Sequence, residues 1–428
     1  MTRINKLLSV LFVFGVLHTV EAQNRNLDNF RQPDKNGLNV FEAPKDSTST
    51  FDGVKVRVGG ASTLQYQAID HENATGAAAL IPLTNNFNLA TANLDLDVAL
   101  AKGVRMHLRT YLSSRHHPEP YVKGGYFQID NLDFIKEGLA SDLMKYVTIK
   151  IGHMENNYGD THFRRSDNAQ ALFNPFVGNY IMDAFTTEVG GEVYFRKNGF
   201  MVMLGATNTK LNQSVADDAN GNPSPSILAK LGFDKQVNED LRLRITGSIY
   251  NNAFANRTYL YAGDRAGARY YLVMAPPMSG TVATTATNTY TTGRYNPNFN
   301  RKLTSIMINP FLKYQDLEFF GVAEFSNGRN ATETDRRKAT QLGAELLYRF
   351  GSNDNFYVGG RYNSVSAEDV SGVDVDIKRY NLGFGWFMTK NILAKFEYVN
   401  QTYDGFAAGT VFDGGKFNGI VAEAVISF

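Results

Sequence analysis

The sequence predicts an all-β fold, a transmembrane antiparallel β-barrel of about sixteen strands. Three observations carry that expectation. Residues 417–428 (FNGIVAEAVISF) alternate strictly: Ile420, Ala422, Ala424, Ile426 and Phe428 share one apolar face, and Gly419, Val421, Glu423, Val425 and Ser427 share the other. The same period of two recurs along the chain in runs of about ten residues or more, enough to cross a bilayer at a tilt. The N-terminus reads as a secretory signal: Arg3 and Lys6 precede the apolar run Leu7–Leu17, and Val20-Glu21-Ala22 offers a cleavage site before Gln23.

Composition narrows the class further. The signal's apolar run is too short to span a membrane as a helix, and no later stretch is long and apolar enough to do so. The mildly negative mean hydropathy does not oppose a barrel, because alternating strands average out. The absence of cysteine excludes a disulfide framework, thiol chemistry and lipid anchoring at a cysteine. A net charge of +1 gives no electrostatic case for nucleic acid. The 30 Phe and 22 Tyr favour strands and supply candidates for aromatic girdles.

Three segments follow: a signal peptide at 1–22, an irregular periplasmic segment at 23–53, and the barrel at 54–428. The second lacks periodicity and carries Pro33, Pro44 and a Ser/Thr run. From Val54 the pattern changes. Val54, Val56, Val58, Leu64 and Tyr66 alternate with Lys55, Arg57, Thr63, Gln65 and Gln67, and Leu94, Leu96 and Val98 alternate with Asp95 and Asp97. Strands are expected to start near residues 54, 87, 103, 121, 145, 184, 200, 226, 240, 302, 317, 337, 355, 376, 391 and 416. Fourteen or eighteen strands are the alternatives, the latter if Tyr259–Met274 forms an extra hairpin. Short turns, of which Asn198-Gly199 has the strongest hairpin chemistry, alternate with long polar loops. That asymmetry puts the short turns in the periplasm and the long loops outside. A soluble sandwich or propeller would use strands of about five or six residues, shorter than these runs.

With apolar residues on lipid, the alternate set faces the lumen and is strongly charged. Lys55, Arg57, Arg105, His107, Arg109, Arg242 and Arg244 are its candidate lumen-wall residues. Hairpin register sets Asp97 against His107, Asp95 against Arg109, Asp234 against Arg242 and Glu345 against Arg361. A sixteen-strand barrel is too wide for its own side chains to fill, so an aqueous channel is expected.

The connection at 155–183 mixes charge (Asp160, Arg164, Arg165, Asp167) with a bulky apolar run (Leu172, Phe173, Phe176, Val177). A purely solvated loop has no use for that run, whereas a loop folded into the barrel would pack it against the wall. The terminal strand ending on Phe428 resembles the C-terminal signature of bacterial outer-membrane barrels. The connection at 155–183 follows the fifth strand, which makes it the third outer loop, and it resembles the inward-folded constriction of general diffusion porins. Thr148–Ser166 (TIKIGHMENNYGDTHFRRS) is similar to the corresponding region of phosphate-selective porin-like proteins. The leader and first strand (GLNVFEAPKDSTSTFDGVKVRVGG) resemble the porin-like outer-membrane proteins of Bacteroidetes.

The resemblance implies a passive channel for small hydrophilic solutes or ions, anion-favouring, in the Gram-negative cell outer membrane. Lipid and lipopolysaccharide would surround it, and a homotrimer is the usual assembly of such porins. Arg164 and Arg165, with Arg105 and Arg109 on the wall, would form the constriction's positive side, and Asp160 and Asp167 its negative side. The bland counterpart is a salt-bridge network that stiffens the loop. The runner-up function is a plugged surface receptor or secretion-accessory barrel, with the leader as a hatch. No catalytic constellation, cofactor motif or metal-ligand spacing emerges. His116-His117 with Glu119, His153 with His162, and Ser113 or Ser114 near His116 lack the further partners such sites need.

Overall fold

A sheet whose outer face meets lipid has to satisfy all of its backbone N–H and C=O groups, and closure is the way to do so. A computed structural model describes residues 27–45, 49–112, 121–211, 221–262, 271–277 and 293–428. The signal peptide, Ser113, Ser114, His116, His117 and Glu119 lie outside the described residues. Sixteen strands form one closed antiparallel barrel in which chain neighbours pair and the first strand pairs with the last. They are β1 (Lys55–Glu72), β2 (Asn86–Ala101), β3 (Val104–Leu112), β4 (Tyr121–Ile129), β5 (Val147–Glu155), β6 (Thr187–Lys197), β7 (Phe200–Thr207) and β8 (Ser226–Gln236). The series continues with β9 (Leu241–Asn252), β10 (Lys302–Tyr314), β11 (Leu317–Arg329), β12 (Arg337–Phe350), β13 (Phe356–Glu368), β14 (Asp374–Thr389), β15 (Ile392–Asp404) and β16 (Lys416–Ser427).

Each start lies close to its expected position; the largest difference is at β6, expected at 184 and found at Thr187. The extra hairpin does not form among the described residues, because 259–262 and 271–274 carry no strand. Asn198 and Gly199 both adopt positive φ (54° and 87°), the backbone that a two-residue hairpin turn requires.

Alternation sorts the faces as expected. Val56, Ile245 and Ile426 are about half exposed on the outer face (50%, 54% and 45%), while Val421, Glu423 and Val425 are buried inside. An aromatic stack, Tyr348–Phe350–Phe356–Trp386, sits outside the short turn at 351–355, with ring centroids 6.2, 5.6 and 6.0 Å apart. Its position matches that of an interfacial girdle. The wall is uneven. Strands β3, β4 and β5 have 9 residues each and β7 has 8, whereas β10 to β15 have 13 to 16.

The expected open aqueous tube is not what fills the barrel. Residues 156–186 fold inward and are almost wholly buried, with Phe176, Ile181 and Met182 at 0% exposure. The leader, residues 27–45, also enters at the short-turn end. It is irregular apart from one 3-10 turn at Lys35–Gly37. Its Phe41 packs between Phe163 of the loop and Phe311 of β10, at 5.9 and 5.4 Å. The width that the wall side chains cannot fill is taken up by chain rather than by water alone.

Candidate functional site

The inward loop reaches the wall in several places, and side chains of the wall satisfy its backbone. The amide of Gly159 donates to Ser248, that of Val177 to Glu397, that of Ile181 to Asn363 and that of Met182 to Gln341, all at 2.7–2.8 Å. A buried irregular segment has to find such partners or lose stability. Lys395 donates to the carbonyls of Ala171, Asn174 and Phe176 and pairs with Glu423 at 2.7 Å. Glycines of the wall leave sockets for the loop's rings. A Cβ at Gly343 would stand 2.6 Å from the ring of Tyr180, and one at Gly383 would stand 3.0 Å from that of Phe176.

The four loop charges singled out from sequence are all buried, and each is ion-paired. Asp160 accepts from Arg244 (2.8 Å to each oxygen), from Thr246 (2.9 Å), and pairs with Lys230 at 2.7 Å. Arg164 donates to Glu345 at 2.9 Å and to Asn39 of the leader at 2.9 Å. Arg165 binds Asp183 (3.0 Å) and Asp167 (2.8 Å), and Asp167 also meets Lys123 of β4. Burial alone would raise the Asp160 and Asp167 carboxyls. Arg244 and Lys230 outweigh that for the first, Lys123 and Arg165 for the second, and both sit below the usual carboxylate range. These charges do not face one another across a gap; Asp160, Arg164 and Asp167 fasten the loop to the wall, while Arg165 joins two carboxylates of the loop itself.

The wall residues divide. Asp97 and Asp95 lie opposite His107 and Arg109 as expected, at 2.7 Å in each case. Arg57 completes a cluster on Asp97 at 3.0 Å. Glu345 lies opposite Arg361 and pairs at 2.7 Å. Arg242 pairs with Asp234 at 2.8 Å, although Arg244 is directly opposite that residue. Lys55 is at the rim, bound to Asp52 at 2.7 Å, and is not part of the inner cluster. His162 binds Glu155 and Asn157, while His153 is in β5, opposite Gly125 and Val189.

Several site residues had no sequence signal strong enough to stand out. Glu42 pairs with Arg244 (2.9 Å) and Lys230 (3.2 Å) deep in the barrel. Burial would raise it, yet Arg244 and then Lys230 hold it well below the usual range. Its setting in an irregular polar leader concealed it. Lys230 and Lys123 were legible in principle, as inward positions of β8 and β4.

Two voids flank the leader. An inner chamber of about 180 Å³ lies against β1–β6 and is lined by leader residues 30–33 and 41–43. A vestibule of about 1060 Å³ opens at the short-turn end and is lined by leader residues 35, 36, 38 and 39. Leader residues thus line both voids. Six Lys/Arg side chains and four Asp/Glu side chains line the inner chamber, so its field is positive.

No family model matches this chain, and no curated protein matches it. Solved structures do resemble it. The anion-selective porin from Comamonas acidovorans superposes with a TM-score of 0.54 at 9% identity, covering 88% of this chain and 100% of that one. Salmonella typhi OmpF, in complex with daunomycin, gives 0.52 at 11%, covering 89% and 100%. The outer membrane channel DcaP of Acinetobacter baumannii gives 0.51 at 12%, covering 89% and 99%. At such identities the likeness speaks to the fold: this chain has the sixteen-strand barrel architecture found in outer-membrane porins.

Proposed function

We propose that this protein is an outer-membrane porin-type channel for small hydrophilic solutes, anion-favouring and without enzymatic activity. The observation that carries the reading is the combination of a closed barrel, apolar on its outer face, with an inner chamber in which cations outnumber carboxylates. A low-dielectric wall around such a chamber concentrates anions and repels cations. The leader lines both chamber and vestibule, and in this proposal solute flux requires it to swing aside. The finer kinship with porin-like proteins of Bacteroidetes, the surrounding lipopolysaccharide and a homotrimeric assembly belong to the same proposal.

The test is conductance in planar bilayers. Stepwise ohmic currents are expected, with a reversal potential on the anion side under a salt gradient. Wild-type protein that inserts and never conducts would reject the channel. The filled lumen favours one second reading, a plugged receptor barrel. In that case ligand binding at the outer loops would persist while the leader stayed docked and no current flowed.

A further inference from the structure

The inner chamber holds an imbalance that its own residues do not resolve. Its four carboxylates are all engaged elsewhere. Glu42 is bound by Lys230 and Arg244, Asp95 by Arg109, Asp97 by Arg57 and His107, and Glu155 by His162, Asn168 and Gln170. Three of its cations make no ion pair among the described residues. Arg31, from the leader, donates only to neutral oxygens: the carbonyls of Gly37 and Phe163 and the side chain of Gln170, at 3.2–3.3 Å. Its guanidinium lies 3.8 Å from the ring centre of Phe173. Arg105, from β3, is 7% exposed and donates to Gln128 (2.8 Å) and to the Asn29 carbonyl (3.1 Å), and its Nε has no partner. Lys150, from β5, has its ammonium near the rings of Tyr126 and Tyr194, at 5.5 and 5.2 Å.

Keeping charged donors in a low-dielectric interior without a counter-charge is costly, and an unsatisfied buried N–H adds to that cost. Burial depresses Arg31 below the ordinary guanidinium range, and Glu155 offsets only part of that. The chamber borders all three cations and has room for a small ion with some water. We propose that the chamber is a binding site for a small oxyanion, of phosphate or short dicarboxylate type, held by Arg105 and Lys150 of the wall and completed by Arg31 of the leader. Because one arm of the site is on the leader, anion binding and leader docking are linked: each strengthens the other by the same factor. An anion would therefore be both cargo and latch. The site deepens the anion-favouring channel proposed above but does not depend on current being observed.

The test is isothermal titration of the detergent-solubilised full chain with inorganic phosphate and, separately, succinate at low chloride. Saturable binding of at least one is expected. Arg31→Gln and Arg105→Gln should each weaken it about tenfold or more, and Lys150→Gln should do so if either arginine variant fails to fold. Lys145→Gln, at an exposed pair with Asp142 outside the barrel, should bind as wild type. Bound phosphate should also slow tryptic cleavage of the leader in the wild type and not in Arg31→Gln. No saturable binding, or equal binding by the wild type and the folded arginine variants, overturns the site even if the barrel conducts. Binding without slower leader cleavage overturns the latch.

Discussion

The inward loop and the leader both occupy the lumen, yet they are held in different ways. The loop is tied at both ends, to β5 and β6, and its contacts with the wall are buried: Asp160 with Lys230 and Arg244, Arg164 with Glu345. The leader is continuous with the barrel at one end only, through β1. Much of its hold lies at the short-turn rim, where Asp34 meets a half-exposed Lys390 at 3.2 Å and the Lys35 amide donates to the Lys390 carbonyl at 2.8 Å. Its deep anchors include Glu42 on Lys230 and Arg244, Asn39 on Arg164 and Glu318, and Phe41 between Phe163 and Phe311. A segment fastened at both ends with buried ion pairs is in effect wall. One joined to the wall at a single end, with part of its hold at a solvated rim where ion pairs contribute little, can leave while the sheet stays closed.

The largest effect should come from locking the leader. Lys35→Cys with Lys390→Cys would link two residues whose backbones are already hydrogen-bonded, in a chain with no other cysteine. Oxidised protein should conduct at least about tenfold less than reduced protein in planar bilayers. Equal currents in both states would make the leader a passive filling, no different in kind from the loop.

Next in size is the loop's central anchor. Asp160→Asn leaves Lys230 with Glu42, and Arg244 with Glu42 and Asp234, and breaking a buried pair in this way costs about 3 kcal/mol. Asp34→Asn, at the rim, should cost less than about 1 kcal/mol. Denaturant unfolding of both variants reads the contrast directly, and similar losses would erase the distinction between the two segments. Gly343→Ala tests the socket for Tyr180. The added methyl should cost about 1–2 kcal/mol, because the ring is hemmed in by Glu345 and cannot retreat freely.

The strands were readable because a lipid-facing ribbon imposes a strict period of two, and a slip of one residue would turn its charges to lipid. The FNGIVAEAVISF strand follows from that period, and the Asp95/Arg109 and Glu345/Arg361 pairs follow from it together with the register set by their hairpin turns. The inward fold of 155–183 was also visible, because Leu172, Phe173, Phe176 and Val177 need a dry surface. What the period could not convey is where an irregular segment goes. Phe41 and Glu42 sit in a polar stretch whose pattern resembles any solvated leader. Their partners, Phe311, Lys230 and Arg244, lie far along the chain. The roles of Arg164 and Arg165 were underdetermined for the same reason: a basic pair in a loop reads alike whether it faces solute or Glu345 and Asp183.

The smallest expected effect concerns pH, and it separates the Glu42 anchor from the rim. Burial would raise the Glu42 and Asp160 carboxyls, but Arg244 and then Lys230 hold both below their ordinary values. A carboxyl depressed in the folded state contributes stability that is complete above its unfolded pKa, about 4. That contribution is lost only as pH falls through the lower folded value. Leader docking should therefore be unchanged between pH 8 and pH 5 and should weaken only in stronger acid. Single-channel conductance recorded at pH 8, 5 and 3 measures this, with an increase expected at the last step alone. An increase already at pH 5 would mean that the Glu42 anchor does not control the leader.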